Sequence, residues 1–320
     1  MEHCMDRLRS LAAEYGPLCV GLDTDPSYLP AAIVKGFPSP AEAVLAYNKE
    51  IIARIKADGS ACCCKVQVAY YEAMGLSGMK AYAETLKAVR ESGLVCISDV
   101  KRGDIAATAA AYAKAHFSGD FETDIITVNP YMGFDTLKVF SDCCMQEGKG
   151  MFVLLRTSNP GMCDIEQQEL KAGGRVLDRV AAELNRIAQE GRAAFPGQTC
   201  SPVGAVVGCT EESDAAALRA LCPEVFFLIP GYGAQGGAAS IARTLLGTAQ
   251  AGAPAVNGTA ASAGPAAPMG TVNSSRGILC AWKKDAACQE KEKAGTLTLA
   301  DIADCAAKAS LASKKDLLAL

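Results

Sequence analysis

Eight short apolar runs, rich in β-branched residues, recur along the chain and decide what it can fold into: LCVGLD (18–23), ACCCKVQV (61–68), LVCISDV (94–100), TDIITVN (123–129), MFVLLR (151–156), VGAVVG (203–208), VFFLIP (225–230) and GTVNSS (270–275). Segments with apolar residues at helical spacing lie between them, such as PAEAVLAYNKEIIARIKA, MKAYAETLKAVRES and GGRVLDRVAAELNRIAQEG. Continuous apolar strands alternating with helices predict βαβ units and a parallel sheet buried on both faces. Eight units predict an α/β fold closed into a (β/α)8 (TIM) barrel, with an open doubly wound sheet as the alternative. At 320 residues the chain is long for one domain, but barrels of this kind often run so long, and a single domain over 1–320 is expected.

Barrel enzymes place their chemistry at the C-terminal ends of the strands, and there the sequence turns polar. The first run ends at Asp23, the second carries Lys65, and the third carries Asp99 and Lys101 with Asp104 just beyond. The fourth ends in Asn129, and the fifth runs into Arg156, Thr157, Ser158 and Asn159. Asp99 and Lys101 are two apart, so a regular strand turns them to one face. Charges at a barrel mouth are costly unless they pair with one another or with a ligand. Taken singly, Lys65 reads as a snorkelling surface lysine and Asp104 as the N-cap of the helix IAATAAAYAKAHF. Alternating charges on adjacent strand ends argue instead for a site.

Glycine-rich turns, GYGAQGG (231–237) and SSRG (274–277), follow the seventh and eighth runs, where barrels commonly hold phosphate on backbone N–H groups. Arg276 offers a donor fork matched to phosphate and Gln235 a further donor. A stretch rich in Ala, Gly, Ser, Thr and Pro, residues 247–269, reads as a flexible insertion before the eighth strand and so beside the phosphate turn. It contains an NGT acceptor triplet, which matters only in a secreted protein.

Several function classes are excluded. The net charge is −4 with no basic block, which speaks against nucleic acid and anionic membrane surfaces as partners. No run of continuous apolar residues is long enough to span a membrane, and the charged amphipathic N-terminus is not a signal peptide. The fifteen cysteines include adjacent ones (62–64, 143–144) and no C-x-x-C pair, so most are expected to be reduced, buried, small hydrophobes in a cytoplasmic protein. The two histidines, His3 and His116, leave no room for a histidine triad or a multi-histidine metal site, so the chemistry falls to Lys, Asp and Glu.

These residues are similar to a known set. VGLDTDP (20–26), KVQVAYYE (65–72), DVKRGDIAAT (99–108), NPYMG (129–133), RTSNPG (156–161), IPGYGAQGG (229–237) and VNSSRGI (272–278) run in order over most of the chain. With them the chain resembles the orotidine 5′-phosphate decarboxylase family, in its longer branch. The resemblance implies a cofactor-free, metal-free decarboxylase of de novo pyrimidine biosynthesis, which takes orotidine 5′-monophosphate to UMP and CO2 as a homodimer with shared sites.

Residue by residue, the resemblance gives Asp23 a hydrogen bond to the ribose and makes Lys65, Asp99 and Lys101 a charged network under the pyrimidine and ribose. Lys101 would protonate the C6 carbanion. Asp104 would join the network from the other subunit, with Thr108 also reaching across. Thr157 or Ser158 would meet the pyrimidine amide edge, and Gln235 and Arg276 the phosphate. Gln67 stands where some relatives have Asn, which leaves its ribose contact open. Two other readings keep company with this one: a Mg²⁺-dependent sugar-phosphate decarboxylase or aldolase sharing D-x-K-x-x-D, and a catalytically silent nucleotide-binding protein.

Overall fold

The computed structural model describes residues 2–210, 212–233, 237–247 and 267–319. Eight parallel strands close into a barrel in sequence order: β1 Leu18–Gly21, β2 Cys63–Gln67, β3 Val95–Arg102, β4 Ile125–Val128, β5 Gly150–Arg156, β6 Val203–Val207, β7 Phe227–Ile229 and β8 Gly270–Ser274, with β8 returning to pair with β1. The closed barrel, not the open sheet, is what the eight runs encode. No helix among the described residues is long and apolar enough to cross a membrane.

Local signals set the connecting helices. Ser39 accepts the Glu42 N–H at 3.2 Å and Pro40 takes the first turn, so the helix Pro40–Ala57 starts where its sequence dictates. Its Val44, Tyr47, Ile51 and Ile55 face the barrel. Two cores result. One fills the space between strands and helices. The other lies inside the barrel, where Cys19, Cys63, Ile97, Ile125, Phe152 and Leu228 meet Met5, Leu8 and Ala12 of the N-terminal helix Cys4–Tyr15. His3 is buried at the start of that helix: Nδ1 accepts the Asp6 N–H, and Nε2 lies 3.0 Å from the Cys200 carbonyl oxygen. All fifteen cysteines are free and most are buried.

One of the two readings of Asp104 falls away. Asp104 is not a helix cap. The helix Ala106–Phe117 begins after Ile105 without a side-chain cap, and the Asp104 carboxylate accepts only the neighbouring Ile105 N–H, at 2.8 Å. The expected insertion before the eighth strand falls mostly on residues that the structure does not describe. Residues 248–266 lie outside the described residues, but both ends of the stretch are visible. Met269 N–H donates to the Leu246 carbonyl at 3.0 Å, at the N-terminal end of β8, a whole strand length from Arg276.

Arg219 secures that stem. Its guanidinium donates to the carbonyls of Leu245, Cys222, Val225 and Met269 at 2.8–3.0 Å and lies 3.5 Å from the centre of the Phe227 ring. Burial pulls its pKa down to about 10, so the stem is held by a cation with carbonyl partners.

Candidate active site

At the C-terminal rim a cavity of about 540 Å³ opens into the barrel. Asp23, Lys65, Gln67, Asp99, Lys101, Thr157, Ser158 and Arg276 all line it, so the structure brings together eight of the eleven expected residues. Asp104 and Thr108 do not line it; Asp104 is half-buried in the turn after β3, and Thr108 is exposed in the first turn of the helix Ala106–Phe117. Gln235 lies outside the described residues.

The centre is a chain of alternating charges. Lys65, buried on β2, bridges Asp23 Oδ1 at 2.9 Å and Asp99 Oδ2 at 3.1 Å. Lys101 Nζ lies 2.7 Å from Asp99 Oδ1. Gln67 Nε2 donates to Asp99 Oδ2 at 2.9 Å, so Gln67 belongs to the network through Asp99. A fourth donor is the Thr127 hydroxyl of β4, at 2.9 Å from Asp99 Oδ1. Burial by itself would push the Asp99 carboxyl up, but the Lys65 and Lys101 ammoniums outweigh it and hold it well below the usual carboxylate range. Burial would likewise lower the Lys65 ammonium, and the Asp23 and Asp99 carboxylates reverse this and raise it. Both groups are charged at neutral pH.

Lys101 differs from Lys65 in exposure: its side chain is 47% accessible against 6% for Lys65, so its ammonium faces the cavity. Its backbone is unusual. The β3–β4 register shifts between Ser98 and Arg102, and Lys101 has φ 45°, a left-handed conformation that side chains seldom adopt. The pairing of Asp99 and Lys101 is therefore not the simple two-residue alternation of a regular strand. It survives because Thr127 Oγ1 accepts the N–H groups of Val100 and Lys101 at 3.0 and 2.8 Å. Ala106, at φ 41°, is the second such residue, so the segment carrying Asp104 is bracketed by two strained positions.

The rest of the cavity is less charged. Ser275 Oγ donates to Asp23 Oδ2 at 2.7 Å and accepts from Asn273 Nδ2 at 3.1 Å, which orients the Asp23 carboxylate. Thr157 Oγ1 lies 2.7 Å from Glu166 Oε1, and its N–H donates to Glu166 Oε2 at 2.9 Å, fixing the loop after β5. Leu154, Val206, Leu228 and Pro230 supply an apolar wall. Arg276, at the start of the short helix Arg276–Leu279, stands at the rim with Tyr28, Tyr70 and Tyr232. The Tyr232 hydroxyl is in turn tied to Asp316 of the C-terminal helix Leu299–Leu318.

Sequence reasoning missed Thr127, Ser275 and Asn273. Thr127 carried a faint signal: a lone hydroxyl two residues past Ile125, whose side chain fills the barrel interior. His116 is a packed residue: buried, with its ring Nε2 3.4 Å from Arg102 Nε. Burial and the Arg102 charge lower its pKa to about 4.

Comparison with known proteins agrees with this geometry. Residues 16–256 match the model of the Orotidine 5′-phosphate decarboxylase / HUMPS family. An orotidine 5′-phosphate decarboxylase of Clostridium botulinum (strain Loch Maree / Type A3) is 47% identical over 281 residues, covering 88% of this chain and 90% of that one. One from Clostridium novyi (strain NT) is 44% identical over 282 residues, with the same coverage. The solved structure of Leishmania donovani OMP decarboxylase superposes with a TM-score of 0.62 at 28% identity, over 94% of this chain and 99% of that one. A barrel whose rim carries the acid-base chain described above, matched by a family model along most of its strands and by relatives nearly half identical, belongs to the orotidine 5′-phosphate decarboxylase / HUMPS family.

Proposed function

We propose that this protein decarboxylates orotidine 5′-monophosphate to UMP and CO2, as a step of pyrimidine biosynthesis, and that Lys101 is the proton donor. The observation that carries this reading is the Lys65–Asp99–Lys101 chain lining the cavity, with Lys101 the more exposed of the two ammoniums. Breaking the C6–carboxylate bond leaves the electron pair on C6, in an orbital the ring delocalises poorly. An ammonium about 4 Å away stabilises such a charge by roughly 4 kcal/mol at an effective dielectric of 20. The same ammonium then gives C6 its proton and recovers one from water. Asp99, ionised and held by four donors, keeps Lys101 oriented and has no room to turn away.

Arg276 would grip the phosphate at the rim, with Gln235 as a further donor. Binding energy gained there, away from the reacting carbon, can drive desolvation at the ring, so it acts on turnover as well as affinity. Asp23, fixed by Lys65 and Ser275, suits a ribose hydroxyl. Ser158 is the better candidate for the pyrimidine edge, because Glu166 already engages the Thr157 hydroxyl.

The site is proposed to be completed by a second copy of the chain, through Asp104 and Thr108. Support comes from their absence from the cavity lining, from the exposure of Thr108, and from exposed apolar residues on neighbouring segments: Leu76 after β2, Ile105 after β3, and Tyr131 and Met132 after β4. Fifteen free thiols support a cytoplasmic, reducing setting. A Mg²⁺-dependent sugar-phosphate reaction is the weaker reading, because the Lys65 ammonium already stands between the two carboxylates that would have to hold the cation.

The test is conversion of orotidine 5′-monophosphate by purified protein with and without a chelator. UMP formation unaffected by chelator, and abolished in a folded Lys101→Ala variant that still binds UMP, is expected. Absence of UMP, or loss of activity with chelator, would overturn the reading.

A further inference from the structure

Outside the cavity, two thiols on separate helices stand unusually close together. Cys288, on the helix Ala286–Lys293, and Cys305, on the C-terminal helix Leu299–Leu318, lie with their sulfurs 3.2 Å apart. We propose that Cys288 and Cys305 form a redox-active dithiol that a small-molecule disulfide oxidises to an intramolecular bond, bracing the C-terminal helix.

Other close thiols lack this geometry. Cys62 and Cys63 are consecutive, 3.7 Å apart, and Cys19 and Cys63 face each other across paired strands; all three are fully buried inside the barrel, out of reach of an oxidant. Cys288 and Cys305 are also buried, but each keeps a few per cent of exposure, and Ala286, Ala287, Gln289 and Glu290 on the helix of Cys288 are exposed. The two sulfurs sit on separate helices, so closing the bond needs an approach of about 1 Å and no change of register.

Asp285 is the third member of the cluster, with a carboxylate oxygen close to both sulfurs. Two thiolates sharing a tetrahedral zinc stand about 3.8 Å apart, from a Zn–S length of ~2.3 Å. The observed contact is shorter, which favours a bond between the sulfurs over a cation among them. Asp285 also caps the helix Ala286–Lys293, its Oδ1 accepting the Cys288 N–H at 3.0 Å. Burial, the neighbouring Cys305 thiol and this carboxylate together push the Cys288 thiol up to about 12, so Asp285 restrains the reaction by holding the thiol protonated.

The chemistry balances. The Cys288 thiol, losing its proton, attacks the small disulfide, forms a mixed disulfide and releases one small thiolate. Cys305 loses its proton and attacks Cys288 Sγ, forming the Cys288–Cys305 bond and releasing the second thiolate, so two small thiols carry away both protons and both electrons.

The full chain is treated with oxidised glutathione under native conditions and examined by mass spectrometry. The expected product is lighter by two hydrogens, carries no glutathione, yields a cross-linked peptide joining residues 288 and 305, and melts ~3 °C or more above the reduced protein. Cys288→Ser and Cys305→Ser should each lose that product. Asp285→Asn keeps the cap and removes the charge, and should oxidise roughly three- to tenfold faster. A protein that stays reduced, that retains glutathione on either cysteine without resolving, or that cross-links other cysteines overturns the proposal. So does stoichiometric retention of added zinc that either serine variant abolishes.

Discussion

The Thr127 hydroxyl accepts the Lys101 N–H at 2.8 Å while donating to the Asp99 carboxylate at 2.9 Å. One buried oxygen thus holds the backbone of one charged residue and the side chain of the other. Thr127→Val keeps the shape and removes these contacts together with the one to the Val100 N–H. We expect kcat to fall about 10- to 100-fold, equivalent to ~1.4–2.7 kcal/mol, with little change in KM. Thr127→Ser should restore most of it. Steady-state kinetics of the two variants checks this, and equal losses in both would remove the hydroxyl from the argument.

Arg276→Ala should weaken binding of the phosphorylated substrate by about 2–4 kcal/mol, the scale of a lost charge-assisted contact. Slow turnover of the nucleoside lacking phosphate should barely change. Equal losses on both substrates would make Arg276 structural.

Asp104 is tested by subunit mixing. If it acts across an interface, a hybrid dimer of Lys101→Ala and Asp104→Ala chains has both defects in one site and an intact second site. Mixing the two inactive proteins should then recover up to about one quarter of wild-type specific activity, for random exchange and independent sites. No recovery, with exchange shown by tagged subunits, would rule out a shared site.

His116 sets an acid limit on stability. Its pKa is about 4 in the folded protein against 6.5 unperturbed, so the unfolded chain binds the proton first. The full contribution is present above pH 6.5 and is lost as pH falls from there towards 4, at most ~3 kcal/mol. His3, also lowered by burial, acts in the same direction. Asp99 does not confuse the measurement: its depressed carboxyl costs stability only below the ordinary carboxylate pKa of 3.8. Denaturant melts between pH 7 and 4 should show a shallower decline for His116→Gln than for wild type.

The barrel was legible because each strand is buried on both faces and stands out as an apolar run, and the site because charges stop such runs abruptly. Lys65, Asp99 and Lys101 needed only that pattern. Thr127 was hidden because a threonine suits a strand whatever its hydroxyl does, and its importance comes from a register shift in the neighbouring strand. The cap reading of Asp104, open when the residue is taken singly, fails because the preference of Asp for caps says nothing of the left-handed Ala106 at the start of the helix. Ser275 and Asn273 act only through Asp23, some 250 residues earlier in the chain, a pairing that closure of β8 against β1 creates.

The stem under β8 gives this barrel a place where its length is free to drift. Leu246 and Met269 are hydrogen-bonded to each other, and Arg219 binds the carbonyls on both sides, so the described residues close the framework across the gap. Replacing 248–266 with a short glycine-serine link should alter the free energy of folding by only about 1 kcal/mol, in the stabilising direction, since closure cost grows with the logarithm of loop size. Catalysis, at the opposite rim, should be indifferent to the change. Related genes can then gain or lose codons here without passing through an inactive ancestor, and a reporter peptide or a whole domain can be grafted at the same point.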